Sequence, residues 1–459
     1  MRTLHWFRND LRLDDNTALQ AATRSGDEPS AVFLIADRQW QEHDWSRAKV
    51  ALLQAHLTEL AKACRQHGIR LLLRRAPSFA DAATSLVGIC RELGIDRVHW
   101  NREYGVDEQQ RDRAVEQGLA DMGVAWQQHD DATVLPPETV RTQDDRPYQV
   151  YSPFARRWRS LLTERGFSCA PTPPPRKARR GASVPQDFTN WRSLQVPEGW
   201  VAGEAAVHRQ LQEFLEERLR HYHQQRDEPG HDGTSRLSAH LSLGAISPRR
   251  CVAAAQAAAA EADTGADTWL GQLIWREFYR QILQAFPRVS RHRAFKPETE
   301  HIRWRRSETD FQAWCEGRTG IPLVDAGMRQ LQHSGWMHNR LRMVAAQFLS
   351  KNLLIDWRRG ERHFMQHLID GDLANNNGGW QWAASTGTDA APYFRVFNPV
   401  SQSRRFDPDG HFLRRWLPEL AHLDRRQIHE PKPGSADYPR SIVDLKASRQ
   451  RAIEAFRAT

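Results

Sequence analysis

The side chains best suited to chemistry lie in the C-terminal half of the chain, where polar groups stand within an aromatic background. Helical spacing puts Asn339, Arg342 and Met343 on one face, at positions i, i+3 and i+4. An amide and a guanidinium on such a stripe need hydrogen-bond partners, because burying them unpaired is costly. Asp370 and Asp372 are the natural partners, either in an internal ion pair that fixes the fold or in a binding site for a ligand.

Asparagine and glycine next to these groups favour a ligand site. The run Asn375–Asn377 is followed by Gly378 and Gly379, which let a ligand approach the backbone closely. A separate segment, Gly233–Ser235, offers backbone N–H groups and hydroxyls to a phosphate where a loop enters a helix. The same segment also fits a plain helix cap.

Composition limits the classes of function. The chain has 459 residues, five widely spaced cysteines, 17 tryptophans and a net charge of +9. It contains no run of about 18 apolar residues and no secretory signal pattern, so we expect no membrane span and a cytoplasmic protein. The cysteines form no C-x-x-C pair, which argues against a disulfide or zinc framework. His363 and His367 stand four apart without an evident third ligand, and we predict no metal site.

The basic residues are mostly arginine, because only seven of the 65 Lys and Arg residues are Lys. The planar guanidinium fork suits phosphate, so this excess indicates either a polyanionic partner or the codon usage of a GC-rich genome. The basic cluster Arg176–Arg180 has two similar interpretations, a nucleic-acid contact or a solvated linker.

The elements that must position these residues fall into three segments. Residues 1–130 alternate short apolar runs with helical periods that end at glycine, which predicts an α/β domain with a parallel sheet. Its predicted strands are Leu4–Phe7, Ala31–Ile35, Ile69–Leu73, Val98–Trp100 and Val124–Trp126. No G-x-G-x-x-G follows any of them, so a dinucleotide would not bind through the usual fingerprint.

The rest of the chain divides into a linker and a helical domain. Residues 131–199 are rich in proline and lack periodicity, which predicts an interdomain linker with one short helix at about 154–162. Residues 200–459 predict a larger all-α domain. Its clearest helices are expected at 310–316, 324–333, 336–351 and 359–369.

Several tracts together resemble the photolyase/cryptochrome family of blue-light flavoproteins, most closely the bacterial class I cyclobutane pyrimidine dimer photolyases. The likeness covers nearly the whole chain, and its most specific part is Gly379–Ala390. It rests on Trp6–Arg12, Tyr222–Arg226, Thr234–Ser238, Trp275–Tyr279, Gly335–Met343 and Asp370–Pro399. The resemblance implies a Rossmann-like α/β domain that carries an antenna pigment, and an all-α domain that binds a U-shaped FAD.

The resemblance also implies a set of flavin contacts. Asn376 would present its side-chain carbonyl to flavin N5 and favour reduced flavin. Arg342, paired with Asp370, would place positive charge near the anionic reduced form. Thr234 and Ser235 would contact phosphate. The residues implied to bind FAD are Tyr222, Thr234, Ser235, Leu237, Ser238, Trp269, Arg276, Asn339, Arg342, Asp370, Asp372 and Asn376.

The implied reaction is repair of cyclobutane pyrimidine dimers in DNA by electron transfer from photoexcited FADH⁻. The dimer is poorly stacked, so flipping it out of the duplex costs less than flipping a normal base. Trp275 and Trp382 would wall the dimer pocket, and Met343 would pack against the dimer. The implied catalytic set is Asn376, Trp275, Trp382, Met343 and Gln272. The residues implied to contact DNA are Arg226, Gln272, Trp275, Arg340 and Gln402.

Two further groups of residues follow from the resemblance. A chain of indoles would relay electrons inward to reduce oxidised flavin, and its members are Trp304, Trp357 and Trp380. An antenna site would hold methenyltetrahydrofolate, and its members are His43, Asp107, Glu108 and Arg291. Asp107 replaces the more usual Asn, and Arg291 stands where a relative has Lys, so a deazaflavin remains an alternative antenna.

Gln272 departs from the pattern of dimer photolyases, many of which have a Glu at this place. Gln is typical there of animal cryptochromes and of photolyases that act on (6-4) photoproducts. Met343 argues against the (6-4) activity, because those enzymes have a histidine at its position. Dimer repair is therefore the expected function, with a cryptochrome-type photoreceptor or a (6-4) photolyase as alternatives. We expect a monomer that binds damaged DNA in the nucleoid.

Overall fold

The computed structural model describes residues 1–25, 28–175, 194–259, 264–432 and 437–458. The basic cluster Arg176–Arg180 lies outside the described residues. Two compact units interleave along the chain: the first comprises Met1–Arg220 and Ser235–Pro287, and the second comprises His221–Thr234 and Arg288–Thr459. The division into segments 1–130, 131–199 and 200–459 stays a prediction.

Helices account for most of the regular structure in the described residues. They are, in chain order, α1 (Thr17–Ser25), α2 (Asp37–Glu42), α3 (Arg47–Gln66), α4 (Ala82–Leu93), α5 (Val106–Ala120), α6 (Tyr151–Arg165), α7 (Glu204–Glu217), α8 (Tyr222–Gln225), α9 (Ser238–Leu243), α10 (Pro248–Ala259), α11 (Thr264–Ala285), α12 (Pro287–Ser290), α13 (Glu308–Cys315), α14 (Pro322–Ser334), α15 (Asn339–Gln347), α16 (Trp357–His367), α17 (Leu373–Ala384), α18 (Pro399–Phe406), α19 (His411–Trp416) and α20 (Leu445–Arg457). No helix among the described residues is long and apolar enough to cross a membrane.

The first unit contains the predicted parallel sheet. Its strands are β1 (Arg2–Phe7), β2 (Glu28–Ile35), β3 (Arg70–Arg75), β4 (Arg97–Asn101) and β5 (Ala125–His129). They are all parallel in the order β3-β2-β1-β4-β5, and each overlaps one of the apolar runs in the sequence. Leu4, Val32, Leu86, Trp100 and Val115 are buried in the core that joins the sheet to α4 and α5. The predicted α/β fold is confirmed.

Local signals set the ends of the helices around the sheet. The Ser46 side chain accepts a hydrogen bond from the Lys49 N–H and starts α3. Gly94 ends α4 in the left-handed conformation, with φ of 61°. The structure adds α1 and α2, which the sequence pattern did not predict.

Residues 131–175 belong to the first unit and make hydrogen bonds to α11. Glu277 of α11 is buried, and its carboxylate accepts the Val134 N–H and the Trp158 indole N–H at 2.5 Å each. The predicted short helix at 154–162 is the longer α6, which begins at Tyr151.

The second unit is helical, and its core lies around Trp314, Phe348 and Trp357, which are almost fully buried. A helix was expected to begin at Trp336, but α15 begins at Asn339. The physical reason is local: the His338 side chain accepts the Arg340 N–H and caps the helix at that point. The predicted helical C-terminal part of the chain is confirmed.

Candidate functional site

In the second unit, Arg342 and Asp370 form an ion pair. Nη2 of Arg342 lies 2.8 and 3.1 Å from the two carboxylate oxygens of Asp370, and its Nε donates to the Met337 carbonyl at 2.8 Å. The Asp370 side chain is 3% exposed and the Arg342 side chain is 25% exposed. The pair holds a partly accessible cation in one orientation, as recognition of an anionic ligand requires.

Asn376 is oriented by Glu361, a buried residue of α16. The Asn376 Nδ2 donates to the Glu361 backbone carbonyl at 3.0 Å, and Asn377 donates to the Glu361 carboxylate at 2.9 Å. The other carboxylate oxygen lies 3.0 Å from His292 Nδ1. The bond to Glu361 fixes the nitrogen end of the Asn376 amide. No described residue donates to its carbonyl oxygen, which can therefore accept a hydrogen bond from a ligand.

The neighbouring polar residues have defined local roles. Asp372 caps α17 by accepting the Asn375 N–H at 3.0 Å and the Asn375 side-chain N–H at 2.7 Å. Asn339 is exposed, and its amide nitrogen lies 3.8 Å from the Met343 sulfur on the same face of α15. Asp372 is half-buried, so each of the two side chains keeps some exposure to solvent.

Tyr222 and Thr234 belong to a tightly packed loop of the second unit. Tyr222 is buried at the start of α8, and burial raises the pKa of its hydroxyl to about 12. A Cβ at Gly233 would lie 2.7 Å from the Cβ of Gln225, so the loop that carries Thr234 passes α8 at a distance that only glycine permits.

The two arginines expected to contact DNA share one carboxylate. Nη2 of Arg340 lies 2.9 Å from Asp227, and Nε of Arg226 lies 3.9 Å from the same side chain. Arg340 also lies over the Phe406 ring at 4.2 Å. Gln402 is half-buried on α18, the helix that ends at Phe406. Asp227 therefore holds two guanidinium groups side by side, a geometry suited to phosphate.

The three tryptophans of the expected relay differ in exposure. Trp380 and Trp357 are 2% and 0% exposed, whereas Trp304 is half-buried and contacts the Phe456 ring at 6.1 Å. A Cβ at Gly360 would overlap the Trp380 ring, so glycine is what lets α16 pack against this indole. Trp382, on the same helix as Trp380, is half-buried and lies 6.5 Å from the Phe397 ring.

In the first unit, the residues expected to contact flavin lie on α9, α11 and the turn before α9. Leu237 is buried, and Ser238 is exposed at the first position of α9. The Ser235 carbonyl accepts a hydrogen bond from the Gln210 side chain at 2.8 Å, which fixes the turn. Trp269 is 3% exposed, with its ring 5.1 Å from that of Phe214.

Arg276 is held by backbone carbonyls of the first unit. Its Nη1 donates to Ala132 at 2.7 Å and its Nη2 donates to Leu241 at 3.3 Å. The guanidinium thus joins the loop after β5 to α9, and this anchoring fixes its direction before any ligand binds.

Trp275 is stacked on Tyr151, a residue within the segment expected to be a linker. The ring centroids are 3.7 Å apart and the planes are inclined by 6°. The Tyr151 hydroxyl donates to the Gly271 carbonyl at 2.8 Å, which ties the stack to the preceding turn of α11. Gln272 makes one long contact, 3.5 Å from its Nε2 to the Thr268 carbonyl. One face of the indole is therefore covered and held by Tyr151.

A small cavity lies in the α/β part of the first unit, at the carboxyl ends of the strands. The chain reverses its strand order between β1 and β4, and this switch point is where open α/β sheets bind ligands. The cavity has a volume of about 50 Å³. The residues that line it include Trp6, Arg8, Phe33, Trp40, His43, Trp45, Phe79, Glu103, Glu108 and Arg111.

Charged side chains form an ion cluster at this cavity. Asp112 lies 2.7 Å from both Arg8 and Arg111, and Arg111 lies 2.8 Å from Glu103. The Arg111 guanidinium is 4.9 Å from the Trp6 ring. Arg8, Glu103, Arg111 and Trp6 therefore give the cavity a lining that is both charged and aromatic.

The expected antenna residues of the first unit lie beside this cavity. His43 Nε2 is 3.1 Å from Asp107, and His43 Nδ1 is 3.9 Å from Glu108. Burial raises the pKa of Glu108, and the nearby Glu103 raises it further. The Glu108 carboxyl is thereby shifted toward its protonated form, which donates a hydrogen bond as well as accepting one. Arg291, in the second unit, is exposed.

A group of potential metal ligands, Asp14, Glu204 and His208, lies within 4.8 Å in the first unit. Glu204 accepts the backbone N–H groups of Leu13 and Asp14 at 2.8 Å each, and Asp14 binds Arg250 through two hydrogen bonds of 2.6 Å. Protein donors already bind both carboxylates, so these hydrogen bonds and ion pairs join α7 and α10 to the segment after β1.

Sequence reasoning missed three residues that organise these sites. Glu361 shares the apolar face of α16 with Trp357 and Phe364, and a lone acid on such a face is a signal of a buried network. Tyr151 begins the aromatic series Tyr151, Phe154 and Trp158, whose spacing of three and four residues would have extended α6. The sequence around Asp227 gave no comparable signal, since an acidic residue that directly follows a basic one usually forms an ion pair on the surface.

Comparisons with known proteins give a consistent result. The model for the FAD binding domain of DNA photolyase matches residues 269–458, and the DNA photolyase model matches residues 3–176. The deoxyribodipyrimidine photo-lyase of Escherichia coli is 44% identical over 99% of this chain and 98% of its own length. That of Vibrio cholerae is 42% identical over 99% of both chains. The crystal structure of a class III photolyase from Agrobacterium tumefaciens superposes with a TM-score of 0.89 at 35% identity, covering 100% of this chain and 97% of the other.

Proposed function

The chain belongs to the DNA photolyase family, and from this premise we propose that it splits cyclobutane pyrimidine dimers in DNA with the energy of blue light. The observation that carries the proposal is the full-length likeness to deoxyribodipyrimidine photo-lyases together with an intact polar network around Asn376 and Arg342. Within the family this activity requires FAD, and the donor set of the second unit fits a flavin.

The fit is supported by the chemistry of that donor set. The carbonyl oxygen of Asn376 is an acceptor held in one direction, and it suits the N–H of a reduced flavin ring. Arg342 is held by Asp370 as a cation, which favours an anionic ring system nearby. FAD, when bound, supplies the light-excited electron donor. Tyr222, Thr234, Asn339 and Asp372 of the second unit complete its proposed contacts there, and Ser235, Leu237, Ser238, Trp269 and Arg276 are the proposed contacts of the first unit.

Substrate binding is assigned to aromatic faces and paired arginines. Stacking on Tyr151 holds Trp275 in one orientation, in which it can contact one ring of a flipped dimer. Trp382 and Met343 supply further apolar surface. Gln272 bonds the damaged bases through its amide. Arg226, Arg340 and Gln402 contact the backbone of the strand, so binding is expected to depend on salt but little on sequence.

The relay of Trp304, Trp357 and Trp380 restores the reduced flavin when it has been oxidised. Its order follows exposure, because Trp304 reaches solvent and Trp380 is buried against α16. Indole suits this role because its ring packs well in an apolar core and gives up one electron at an accessible potential.

For the antenna we propose methenyltetrahydrofolate rather than a deazaflavin. The cavity at the switch point of the first unit marks the proposed place of the pigment. His43, Asp107 and Glu108 beside it offer donors and acceptors for a pterin ring, and Arg291 offers a cation for a glutamate tail. Purified protein mixed with each pigment tests this: binding of the folate alone is expected, and its loss in Glu108→Ala is expected to leave FAD content unchanged.

The proposed activity has a direct test. Protein with chemically reduced flavin is mixed with an oligonucleotide that contains one thymine dimer, and the dimer is counted before and after illumination. Light-dependent loss of the dimer is expected, with none in the dark. If illumination leaves the dimer intact while the flavin still cycles between redox states, the chain is a photoreceptor of the same family instead. An oligonucleotide with a (6-4) photoproduct serves as the control substrate and is expected to stay unrepaired.

A further inference from the structure

Lys351 is a fully buried lysine of the second unit, 0% exposed, in the π-helical turn Phe348–Asn352 that follows α15. A single π-helical turn at a helix is frequently found at a functional site. No described acidic residue forms an ion pair with this ammonium group, and burial, together with the nearby Lys296, lowers its pKa to about 7. Because a buried cation without a counter-ion costs stability, its presence indicates a role beyond packing.

The ammonium group of Lys351 holds the return loop (Ser385–Tyr393), which follows α17. Its Nζ donates to the Ser385 hydroxyl oxygen at 2.7 Å and to the Tyr393 carbonyl at 3.3 Å. Ser385 begins the return loop and Tyr393 ends it, so one charged group joins the two ends. Hydrogen bonds from a charged donor are stronger than those from a neutral one.

The chain of hydrogen bonds continues from Lys351 to the backbone of Trp382. The Ser385 hydroxyl donates to the Ala391 carbonyl at 2.5 Å. The N–H groups of Ser385 and Ala391 both lie 3.3 Å from the Trp382 carbonyl and donate to it. A Cβ at Gly387 would lie 2.7 Å from the nearest atom of α17, so glycine is what lets the return loop pack this closely on the end of the helix.

We propose that Lys351 is a positioning residue for substrate binding, because it closes the return loop on the backbone of Trp382 and thereby fixes this indole in the dimer pocket. The inference rests on the function proposed above, in which Trp382 is one wall of that pocket. Trp382 is half-buried, so its ring is held from the helix side while part of it stays accessible. A ring that is ordered before the ligand arrives loses less entropy on binding, which strengthens the binding of a flipped dimer. Undamaged DNA is bound through its phosphates and gains nothing from the held indole.

Lys351→Met removes the donor and keeps an unbranched side chain in its place. The Kd for an oligonucleotide that contains one thymine dimer, measured in the dark at pH 7, is expected to rise about tenfold. The Kd for the same oligonucleotide without the dimer is expected to stay the same, so the preference for damage falls about tenfold. Replacing a buried charge by an apolar group is often neutral or stabilising, so the urea midpoint of the variant is expected to be equal or higher. A merely structural lysine would lower that midpoint and would not change the preference.

Ser385→Ala breaks the same chain at its next hydrogen bond and is the second variant, which decides the test if Lys351→Met fails to fold. Its Kd for the dimer is expected to rise by a similar factor, and the double variant is expected to bind little more weakly than either single one, because both act through one chain. Ser350→Ala is the matched control, since this buried hydroxyl of the same π-helical turn donates to the Ala346 carbonyl at 2.7 Å and not to the return loop. A normal Kd in Lys351→Met or Ser385→Ala, or an equal rise in Ser350→Ala, would overturn the proposal.

The position of the indole is also measured without DNA. In protein labelled with 5-fluorotryptophan, the ¹⁹F resonance of Trp382 is the one that is missing in Trp382→Phe. It is expected to shift or broaden in Lys351→Met and Ser385→Ala and to stay unchanged in Ser350→Ala, and an unchanged resonance in all three would overturn the proposal. Unaltered protein without any preference for dimer-containing DNA would overturn the proposed function, whereas a preference that survives the loss of Lys351 would overturn the positioning role alone.

Discussion

The stack of Tyr151 on Trp275 offers a direct test of how the substrate surface is built. An aromatic pair contributes about 0.5–1.5 kcal/mol beyond its buried area, and the bond from the Tyr151 hydroxyl to the Gly271 carbonyl contributes a similar amount. Tyr151→Ala removes both and leaves the Trp275 ring free to leave its binding orientation. Reordering the ring upon binding then costs about 1.4 kcal/mol, which raises the Kd for dimer-containing DNA about tenfold.

The assay separates binding from chemistry. Kd is measured by fluorescence anisotropy in the dark, and the repair rate of the bound complex is measured by single flashes on chemically reduced protein. Tyr151→Phe keeps the stack and loses only the hydroxyl bond, so its Kd is expected to rise about threefold or less. The repair yield of bound DNA is expected to be unchanged in both variants, because neither touches the flavin contacts of the second unit.

Tyr148→Ala is the matched control, since Tyr148 lies in the same segment and contacts the Phe154 ring at 6.3 Å instead of Trp275. Its Kd is expected to match that of the unaltered protein. The reasoning is refuted if Tyr151→Ala binds damaged DNA normally, or if Tyr148→Ala weakens binding to the same extent.

Three other outcomes follow from the packing of the second unit. Gly360→Ala overlaps the Trp380 ring and is expected to destabilise the protein by about 1–3 kcal/mol in urea unfolding. A Cβ at Gly379 of α17 would have no atom within 4 Å, so Gly379→Ala is the control and is expected to cause no loss of stability and a gain of up to about 1 kcal/mol. Burial lowers the pKa of Lys351 from 10.5 to about 7, so at pH values between these two the unfolded chain binds more protons than the folded protein. The protein is therefore expected to gain stability relative to Lys351→Met as the pH rises from about 7 to 10. Unfolding midpoints of the two proteins that shift in parallel with pH would contradict this. Trp304→Phe is expected to slow photoreduction of oxidised flavin yet leave repair by chemically reduced protein intact, and equal loss of both would exclude it from the relay.

Much of the fold was predictable because its signals are local. The apolar runs that form β1 to β5 are separated by segments of helical periodicity that end at glycine. Each of these patterns can be identified from the sequence without knowledge of the tertiary structure. The start of α15 was placed too early because a capping side chain, His338, outweighed the apolar pattern that begins at Trp336. The helix α1 was missed because its nine residues carry only a short pattern.

The candidate sites were predictable only as sets of residues. Arg342 and Asp370 are complementary in charge and could be paired from the sequence. No local sequence pattern predicts that Glu361 orients both Asn376 and Asn377. Such a contact joins two helices, and its strength depends on burial in the tertiary structure rather than on the spacing of residues in the sequence. The roles assigned to the flavin, DNA and antenna residues rest on family likeness and stay predictions.

The ion cluster of Arg8, Arg111 and Asp112 lies at the place where the antenna pigment is proposed to bind, so its packing would decide which ring systems the site accepts. A pigment bound at that place would set the wavelengths that the protein harvests. Replacing the cluster with small residues would enlarge the space at the carboxyl ends of the strands, and all three residues belong to the first unit. Under the proposed antenna role, repacking a handful of residues would then change the action spectrum, while the proposed flavin contacts of the second unit keep their residues.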